Sequence, residues 1–112
     1  MKKYQIYQVS GKTEEGRSVK FMSLDFLKEN GILEMEGNLC KIDSDLYEKV
    51  YEAEYEPNPE ASTEVILDYL YRMFQGQKPD GYTGHSLSVS DVIVLDGTAY
   101  YVDSIGFEEI DF

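Results

Sequence analysis

The segment of the chain whose residue types could support catalysis runs from Gly81 to Asp91 and reads GYTGHSLSVSD. It contains the only histidine, His85, with Ser86 directly beside it. Serine, histidine and an acid can perform acyl transfer when the serine donates a hydrogen bond to the histidine and the acid orients the ring. Because neighbouring residues of an extended chain point to opposite faces, His85 and Ser86 do not form that pair. The sequence therefore predicts no catalytic residue in this segment.

The serines and the acid of this segment have a simpler interpretation. Ser88, Ser90 and Asp91 precede a strongly β-prone run, where short polar side chains commonly hydrogen-bond the backbone of a turn. The two glycines suggest a phosphate cradle, but the Gly-Lys-Ser/Thr sequence of a P-loop is absent. Residues 81–112 carry six acidic and no basic side chains, so a bound phosphate would be repelled. We predict turn-forming roles for these residues.

Two other features could bind a metal or react with a substrate. Asp43-Ser44-Asp45 resembles the start of a calcium loop, but the glycine at the sixth loop position is missing, which favours a turn or a helix cap. Cys40, the only cysteine, lies between Leu39 and Lys41 without a neighbouring histidine, which is typical of a small core residue. The sequence therefore predicts neither a cofactor nor a metal site.

A β-hairpin is the clearest structural element. Val92–Leu95 and Thr98–Val102 are β-prone runs separated by Asp96-Gly97, the pair that suits a type I′ turn because both residues need positive φ. This turn pairs Ile93 with Tyr100 and makes both faces of the hairpin apolar, so we expect it to be covered on both sides. A third strand, Phe107–Ile110, completes a predicted meander.

The residues of this region resemble a known family. The similarity lies in GHSLSVSDVIVL (84–95), YYVDS (100–104) and Gly106-Phe107, together with YQIYQ (4–8) and VYE (50–52). On these residues the chain resembles the YodL-like domain family over nearly its whole length. The resemblance implies a small soluble bacterial protein, often encoded on conjugative or phage-like elements and sometimes embedded in very large proteins. It implies no established activity and supplies no catalytic residues.

Further strands are predicted before the hairpin. Tyr4–Val9 and Tyr47–Glu56 are rich in aromatic and β-branched residues. In the second run tyrosine alternates with glutamate, which gives one apolar face as a strand; a helix, the alternative, would spread the same residues around its surface. Glu36-Gly37-Asn38 is a turn signal, so the segment Ile32–Ile42 is compatible with a small hairpin.

The first of two predicted helices follows Ser23, a good N-cap, and its buried face would consist of Leu24 and Leu27, with Phe26 as a further candidate. It is about two turns long, so it requires tertiary packing. Before it, we predict a loop over Ser10–Ser18, because this stretch contains two glycines among charged residues, and a short extended piece over Val19–Met22.

The second predicted helix is longer and spans Glu64–Gln75, with Ser62 or Thr63 as its N-cap and Gly76 as its terminator. Its apolar residues recur at helical spacing and are expected to pack on one face of the hairpin sheet. The predicted buried stripe consists of Ile66, Tyr69, Leu70 and Met73.

Length and composition indicate one domain over residues 1–112. The predicted elements place it in the α+β class, with a mixed or mainly antiparallel sheet of about five strands, two helices and the carboxy-terminal meander. The net charge is −12, which disfavours direct contact with nucleic acid, and only residues 1–20 are net positive. The amino-terminal residues lack an apolar signal sequence, and no run of apolar residues is long enough to cross a membrane. With a single cysteine, these features favour the cytoplasm.

Three functions are compatible with the sequence. The first is a non-enzymatic accessory or regulatory module, of a bacterial mobile element or its host, that binds an unknown protein partner through Tyr82, His85, Ser86 and Ser88. The second is an acidic DNA mimic that inhibits a DNA-binding protein. The third is an enzyme acting near His85, which would need a pocket and a hydrogen-bonded partner for the ring. The lack of a catalytic constellation favours the first.

Overall fold

A computed structural model describes residues 2–10, 12, 14–29, 34–36, 39–56, 58–75 and 79–112. In this part of the chain the strands are β1 (Lys2–Val9), β2 (Glu34–Glu36), β3 (Leu39–Lys41), β4 (Tyr47–Tyr55), β5 (Val92–Leu95), β6 (Thr98–Val102) and β7 (Phe107–Asp111). The helices are α1 (Glu14–Val19), α2 (Leu24–Glu29) and α3 (Thr63–Met73), with a 3₁₀ turn at Ser44–Leu46.

The seven strands of the described residues form one mixed sheet in the order β2-β3-β7-β6-β5-β1-β4. All neighbouring pairs are antiparallel except β3 and β7, which are parallel. The α+β class and the carboxy-terminal meander are confirmed. The sheet exceeds the expected five strands because the small hairpin compatible with Ile32–Ile42 joins it: β2 pairs with β3, and β3 pairs with β7. The turn residues of this hairpin, 37–38, lie outside the described residues.

The β5–β6 hairpin has the predicted register, with Ile93 opposite Tyr100 and Leu95 opposite Thr98. The two turn residues have positive φ, 50° at Asp96 and 84° at Gly97, as a type I′ turn requires. The strand interpretation of Tyr47–Glu56 is also confirmed, because β4 pairs with β1 along its whole length, with one bulge opposite the Ile6–Tyr7 step.

Apolar side chains cover both faces of the hairpin, as its sequence predicts. On one face Val92 and Tyr101 pack in a core that includes the α2 residues Leu24 and Leu27. On the other face lies a second core, which joins the sheet to α3. Its fully or nearly fully buried members include Ile6, Ile93, Val102, Leu67, Leu70 and Phe74. The sheet therefore separates two cores, and α3 packs where the sequence predicts.

The helix caps follow the sequence. The Ser23 hydroxyl accepts a hydrogen bond from the Phe26 amide at 3.2 Å, and the Ser62 hydroxyl accepts one from the Val65 amide at 3.3 Å. Asp43 caps the 3₁₀ turn, so the interpretation of Asp43-Ser44-Asp45 as a cap is confirmed. Cys40 is buried, as expected of a core residue, whereas Gly76 lies outside the described residues.

Two predictions for the amino-terminal third are wrong. The stretch predicted as a loop, Ser10–Ser18, contains most of α1, and Val19 ends that helix instead of starting an extended piece. So short a helix is stabilised by tertiary burial, and Val19 is 2% exposed in the core. The chain then turns sharply at Phe21, whose φ is +66°. The burial of Val19 is a tertiary contact that the local signals of glycine and charge do not indicate.

The predicted stripe of α3 is partly wrong. Tyr69 is 66% exposed, whereas the fully buried positions of the helix and its C-cap are Leu67, Leu70 and Phe74. The helix is therefore rotated toward Leu67 and Phe74 relative to the expected face. Among the described residues, no helix is long and apolar enough to cross a membrane.

Candidate functional site

The segment from Gly81 to Asp91 lies over the end of β1 and is held there by one side chain, Gln8. This glutamine is 4% exposed. It follows Tyr4 and Ile6 on the side of the strand that faces α3 and the second core. Its Nε2 lies 2.8 Å from the His85 carbonyl oxygen, and its Oε1 accepts a hydrogen bond from the His85 amide at 3.1 Å. The Gln8 side chain thus bonds both the amide and the carbonyl oxygen of His85, as the backbone of a paired strand would.

The same amide nitrogen reaches two further acceptors. It lies 3.1 Å from Asp91 Oδ2 and 3.2 Å from the Tyr82 hydroxyl oxygen. Since an amide nitrogen carries only two protons, these bonds share donors with the bond to the His85 carbonyl. We call Gln8, Tyr82, His85, Ser88 and Asp91 the Gln8 network. It joins β1 to the start of the hairpin across more than seventy residues of sequence.

Gly84 makes this approach possible. A Cβ built on Gly84 would collide with Gln8 Oε1 and would lie 2.9 Å from Gln8 Cδ and 3.1 Å from Val50 Cγ1. Distances below about 3.0 Å do not occur for real Cβ atoms. Any side chain at position 84 therefore displaces Gln8 or lifts the segment, so this glycine is required for the close approach of the segment to the sheet.

Asp91 is the buried acid of the network, with 1% exposure. Its Oδ2 accepts hydrogen bonds from the Ser88 amide at 2.9 Å and from Gln8 at 3.1 Å. Burial raises the pKa of Asp91 to about 6, although these bonds and the nearby His85 act in the opposite direction. The prediction that the Asp91 side chain bonds a backbone group at the entrance of the hairpin is confirmed. The same prediction for Ser88 is wrong, because its amide forms the bond and its hydroxyl has no hydrogen-bond partner among the described residues.

Ser90 completes the anchoring of the segment from the other side. It is fully buried and has a φ of +87°. Its hydroxyl accepts a hydrogen bond from the Phe21 amide at 2.8 Å, and its carbonyl oxygen accepts one from the Tyr47 hydroxyl at 2.7 Å. The predicted role of Ser90 in binding backbone groups is confirmed, and the backbone group belongs to the distant turn at Phe21.

Phe21 and His85 form the exposed surface above these anchors. Phe21 is 55% exposed although its φ of +66° is unfavourable for a bulky residue. Its ring centroid lies 5.6 Å from that of His85, and the Lys20 amine lies 5.3 Å from the Phe21 centroid. We call the pair the Phe21–His85 surface. It joins the turn after α1 to the Gly81–Asp91 segment.

The histidine ring has a defined tautomer in this arrangement. Its Nδ1 lies 2.7 Å from the Ser86 carbonyl oxygen, which can only accept a hydrogen bond, so Nδ1 carries the proton. The contact of Nδ1 with Gln8 Nε2 at 3.2 Å is then not a hydrogen bond, because both nitrogens are donors. In the neutral ring Nε2 is the acceptor. His85 can therefore present an acceptor nitrogen beside the Phe21 ring.

The other predicted partner-binding residues have structural contacts. The Tyr82 ring stacks on Phe74 at 5.0 Å between centroids, and its hydroxyl donates to the His85 carbonyl oxygen at 2.6 Å. Burial raises the pKa of Tyr82. The Ser86 hydroxyl donates to the Gln75 carbonyl oxygen, and the Ser88 hydroxyl is buried without a hydrogen-bond partner among the described residues. Of the four, His85 is the exposed one.

Sequence reasoning missed Gln8 and Phe21. Gln8 had a readable signal, because it continues the core-facing positions of Tyr4 and Ile6 with a polar residue, and a buried polar group needs partners. Phe21 had none, since its exposure depends on a turn formed with distant Ser90. Among the described residues, no group of three or more His, Cys, Asp or Glu side chains is arranged to hold a metal ion.

Comparison with known proteins gives one match. The model of a family described as the YodL-like domain matches residues 3–112. Neither the curated proteins nor the solved structures contain a match.

Proposed function

This chain belongs to the YodL-like domain family, and we propose that it is a non-enzymatic module that binds a protein partner through the Phe21–His85 surface. The observation that carries this proposal is the exposed phenylalanine held at positive φ. Such a conformation costs about 1–3 kcal/mol in a bulky residue and persists only where the surrounding structure enforces it. An apolar ring displayed in this way is typical of recognition.

The hydrogen bonds that hold the backbone of this surface support the same proposal. The backbone of Phe21 is held by Ser90, and the next carbonyl oxygen, that of Met22, accepts a hydrogen bond from the Tyr101 hydroxyl at 2.6 Å. The backbone of His85 is held by Gln8 and Tyr82. A surface fixed before binding loses little conformational freedom when a partner arrives, which favours affinity. In this proposal Tyr82, Ser86 and Ser88 position the segment and His85 contacts the partner.

The contacts around His85 favour binding over catalysis. Ser86 donates its hydroxyl proton to Gln75, and Asp91 is engaged by Ser88 and Gln8, so neither forms a pair with the imidazole. A catalytic histidine needs a nucleophile or substrate proton within hydrogen-bond reach and a group that orients the ring. Here a backbone carbonyl oxygen orients the ring. We therefore propose that the chain is not an enzyme.

The arrangement of acids gives less support to a DNA mimic. Several carboxylates that such a mimic would present are bonded to cations: Glu48 to Lys12 at 3.1 Å, Glu52 to Lys49 at 3.5 Å and Asp68 to Arg72 at 2.9 Å. A row of phosphate surrogates requires negative charges without interspersed positive ones. The assignment to a bacterial mobile element or its host, and to the cytoplasm, stays a prediction from the sequence.

The proposal is tested with two variants of Phe21 that separate the ring from the fold. Phe21→Gly removes the ring and suits the positive φ, so its free energy of unfolding should stay within about 1 kcal/mol of the wild-type value. Phe21→Ala removes the ring and retains the backbone strain. Tagged wild type, both variants and His85→Ala serve as baits in a host-cell lysate, with captured proteins quantified by mass spectrometry.

A partner that uses this surface should be captured by the wild type and lost, at least tenfold, from both Phe21 variants. Ile105→Ala is the matched control, because Ile105 is 92% exposed and belongs to the turn between β6 and β7. It should retain the partner. If Phe21→Gly is folded and captures the same proteins as the wild type, the partner surface lies elsewhere and the proposal is wrong.

A further inference from the structure

A groove of about 510 Å³ lies between α3 and the end of β4. Five of the residues that line it come from one side of the helix, most of them three or four positions apart, and two tyrosines come from the sheet. These seven are Val65, Ile66, Tyr69, Leu70, Met73, Tyr4 and Tyr55. The groove is open to solvent and is not a closed cavity within the core, because its helical wall includes exposed side chains.

The apolar stripe of α3 is wider than its own core requires. Leu67, Leu70 and Phe74 are at most 3% exposed and join the helix to the sheet. Val65 and Tyr69, one turn apart, are 59% and 66% exposed on the groove side. The expected stripe of Ile66, Tyr69, Leu70 and Met73 lines this groove, so it corresponds to a face that the chain covers only in part. Exposed apolar surface of this kind marks interaction sites.

The charge around the groove indicates what it would accept. The charged residues that line it in the described part of the chain are both acidic, Glu54 and Glu56. Glu54 faces Lys3 across the β1–β4 pair, whereas Glu56 follows the strand. The chain as a whole carries a net charge of −12, which adds a long-range attraction for cations. A ligand complementary to this site combines an apolar group with positive charge.

We propose that this groove binds a short segment of a partner protein in which a large apolar side chain is flanked by lysine or arginine. The apolar side chain enters between Tyr55 and Tyr69, and the flanking cations lie toward Glu56. None of the residues that line the groove belongs to the Phe21–His85 surface. The groove is thus a second binding surface of defined chemistry, and its test is independent of the test of the Phe21–His85 surface.

The test uses a phage-displayed library of random nonapeptides selected on the immobilised full chain. The groove should enrich sequences with a large apolar residue flanked by lysine or arginine. Peptides synthesised from the enriched set are then measured by fluorescence anisotropy. Tyr69→Ala removes one apolar wall and should weaken binding about tenfold, as loss of an aromatic contact at a binding site does. Glu56→Lys should weaken it about threefold or more at low salt.

Two matched controls keep the test specific. Glu108→Lys makes the same charge change on β7, away from the groove, and should leave binding within about twofold. Phe21→Gly should also bind normally, which separates this proposal from the preceding one. Three outcomes would overturn the inference: no enrichment, enrichment of acidic or uncharged peptides, or equal binding by Tyr69→Ala and the wild type. Concentration-dependent dimerisation that Tyr69→Ala abolishes would identify a second copy of the chain as the occupant instead.

Discussion

Replacement of Gly84 by alanine tests the Gln8 network directly. The added Cβ would collide with the side-chain oxygen of Gln8 and lie 2.9 Å from its Cδ. The substitution adds only one carbon atom at a position whose φ is not in the left-handed region, so backbone strain is not its main effect. The collision must be relieved by movement of Gln8 or by displacement of the Gly81–Asp91 segment, and either movement separates Gln8 from its partners.

The size of the effect follows from the number of bonds that Gln8 can make. Its side chain donates two protons, to acceptors on His85, Asp91 and Tyr82, and accepts one bond from the His85 amide. Three hydrogen bonds at about 0.5–1.5 kcal/mol each, of which the one to the Asp91 carboxylate is buried and the others are partly buried, predict a loss of about 2–4 kcal/mol. For a domain of this size such a loss lowers the melting temperature by ~10 °C or more.

Urea denaturation of four proteins measures this loss: the wild type, Gly84→Ala, Gln8→Ala and the double variant. Because alanine at position 8 removes the atoms that collide, Gly84→Ala should cost less than about 1 kcal/mol in the Gln8→Ala background, mainly from the approach to Val50. Gly81→Ala is the control for backbone strain, since Gly81 has a φ of +88° and no atom within 4 Å of an added Cβ. Additive effects of Gly84→Ala and Gln8→Ala would refute the proposed collision.

Three further predictions concern the acid, the turn and the net charge. Because burial raises the pKa of Asp91 from 3.8 to about 6, the folded chain binds this proton more tightly than the unfolded chain. The contribution of Asp91 to stability is therefore greatest below about pH 4 and should fall as the pH rises from about 4 to about 6. Asp91→Asn, which keeps an acceptor oxygen, should gain on the order of 3 kcal/mol relative to the wild type between pH 4 and pH 7 in urea titrations; a constant difference would contradict the shift. Gly97→Val should cost at least about 1 kcal/mol, since φ is +84°. No atom lies within 4 Å of an added Cβ, so the cost comes from backbone strain, and an unchanged melting temperature would exclude a strained turn. Stability should rise between 20 mM and 300 mM sodium chloride, concentrations chosen because the screening length near 0.1 M is about 10 Å, whereas equal unfolding midpoints would mean that ion pairs such as Lys12–Glu48 offset the global repulsion.

The parts of the fold that the sequence predicts are those in which the signal is local. Asp96-Gly97 determines the turn between β5 and β6, and the register of the hairpin follows from a two-residue loop without any knowledge of the rest of the chain. The alternation of tyrosine and glutamate in β4 similarly identifies a strand with one covered face. In both cases the residues that carry the signal are the residues that form the element.

The parts that sequence reasoning misses depend on contacts between distant residues. α1 is a short helix that ends on Val19, and only the core it meets makes burial of Val19 favourable. The amide of Phe21, at the positive φ, is held by the Ser90 hydroxyl, which lies 69 residues later. The rotation of α3 is set by how Leu67 and Phe74 fit against the sheet rather than by helical spacing, which allows neighbouring stripes equally well.

The residues that carry the family resemblance are largely the residues that fix the Gly81–Asp91 segment. Gly84 admits Gln8, Ser90 holds the turn at Phe21, and Asp91 closes the network with Ser88. A signature made of such residues specifies a loop conformation, and one loop conformation is compatible with many ligands. Partner choice would instead depend on side chains exposed above the anchors. The partner of another YodL-like domain would therefore be informative for this chain only if that domain presents an equivalent of the Phe21–His85 surface.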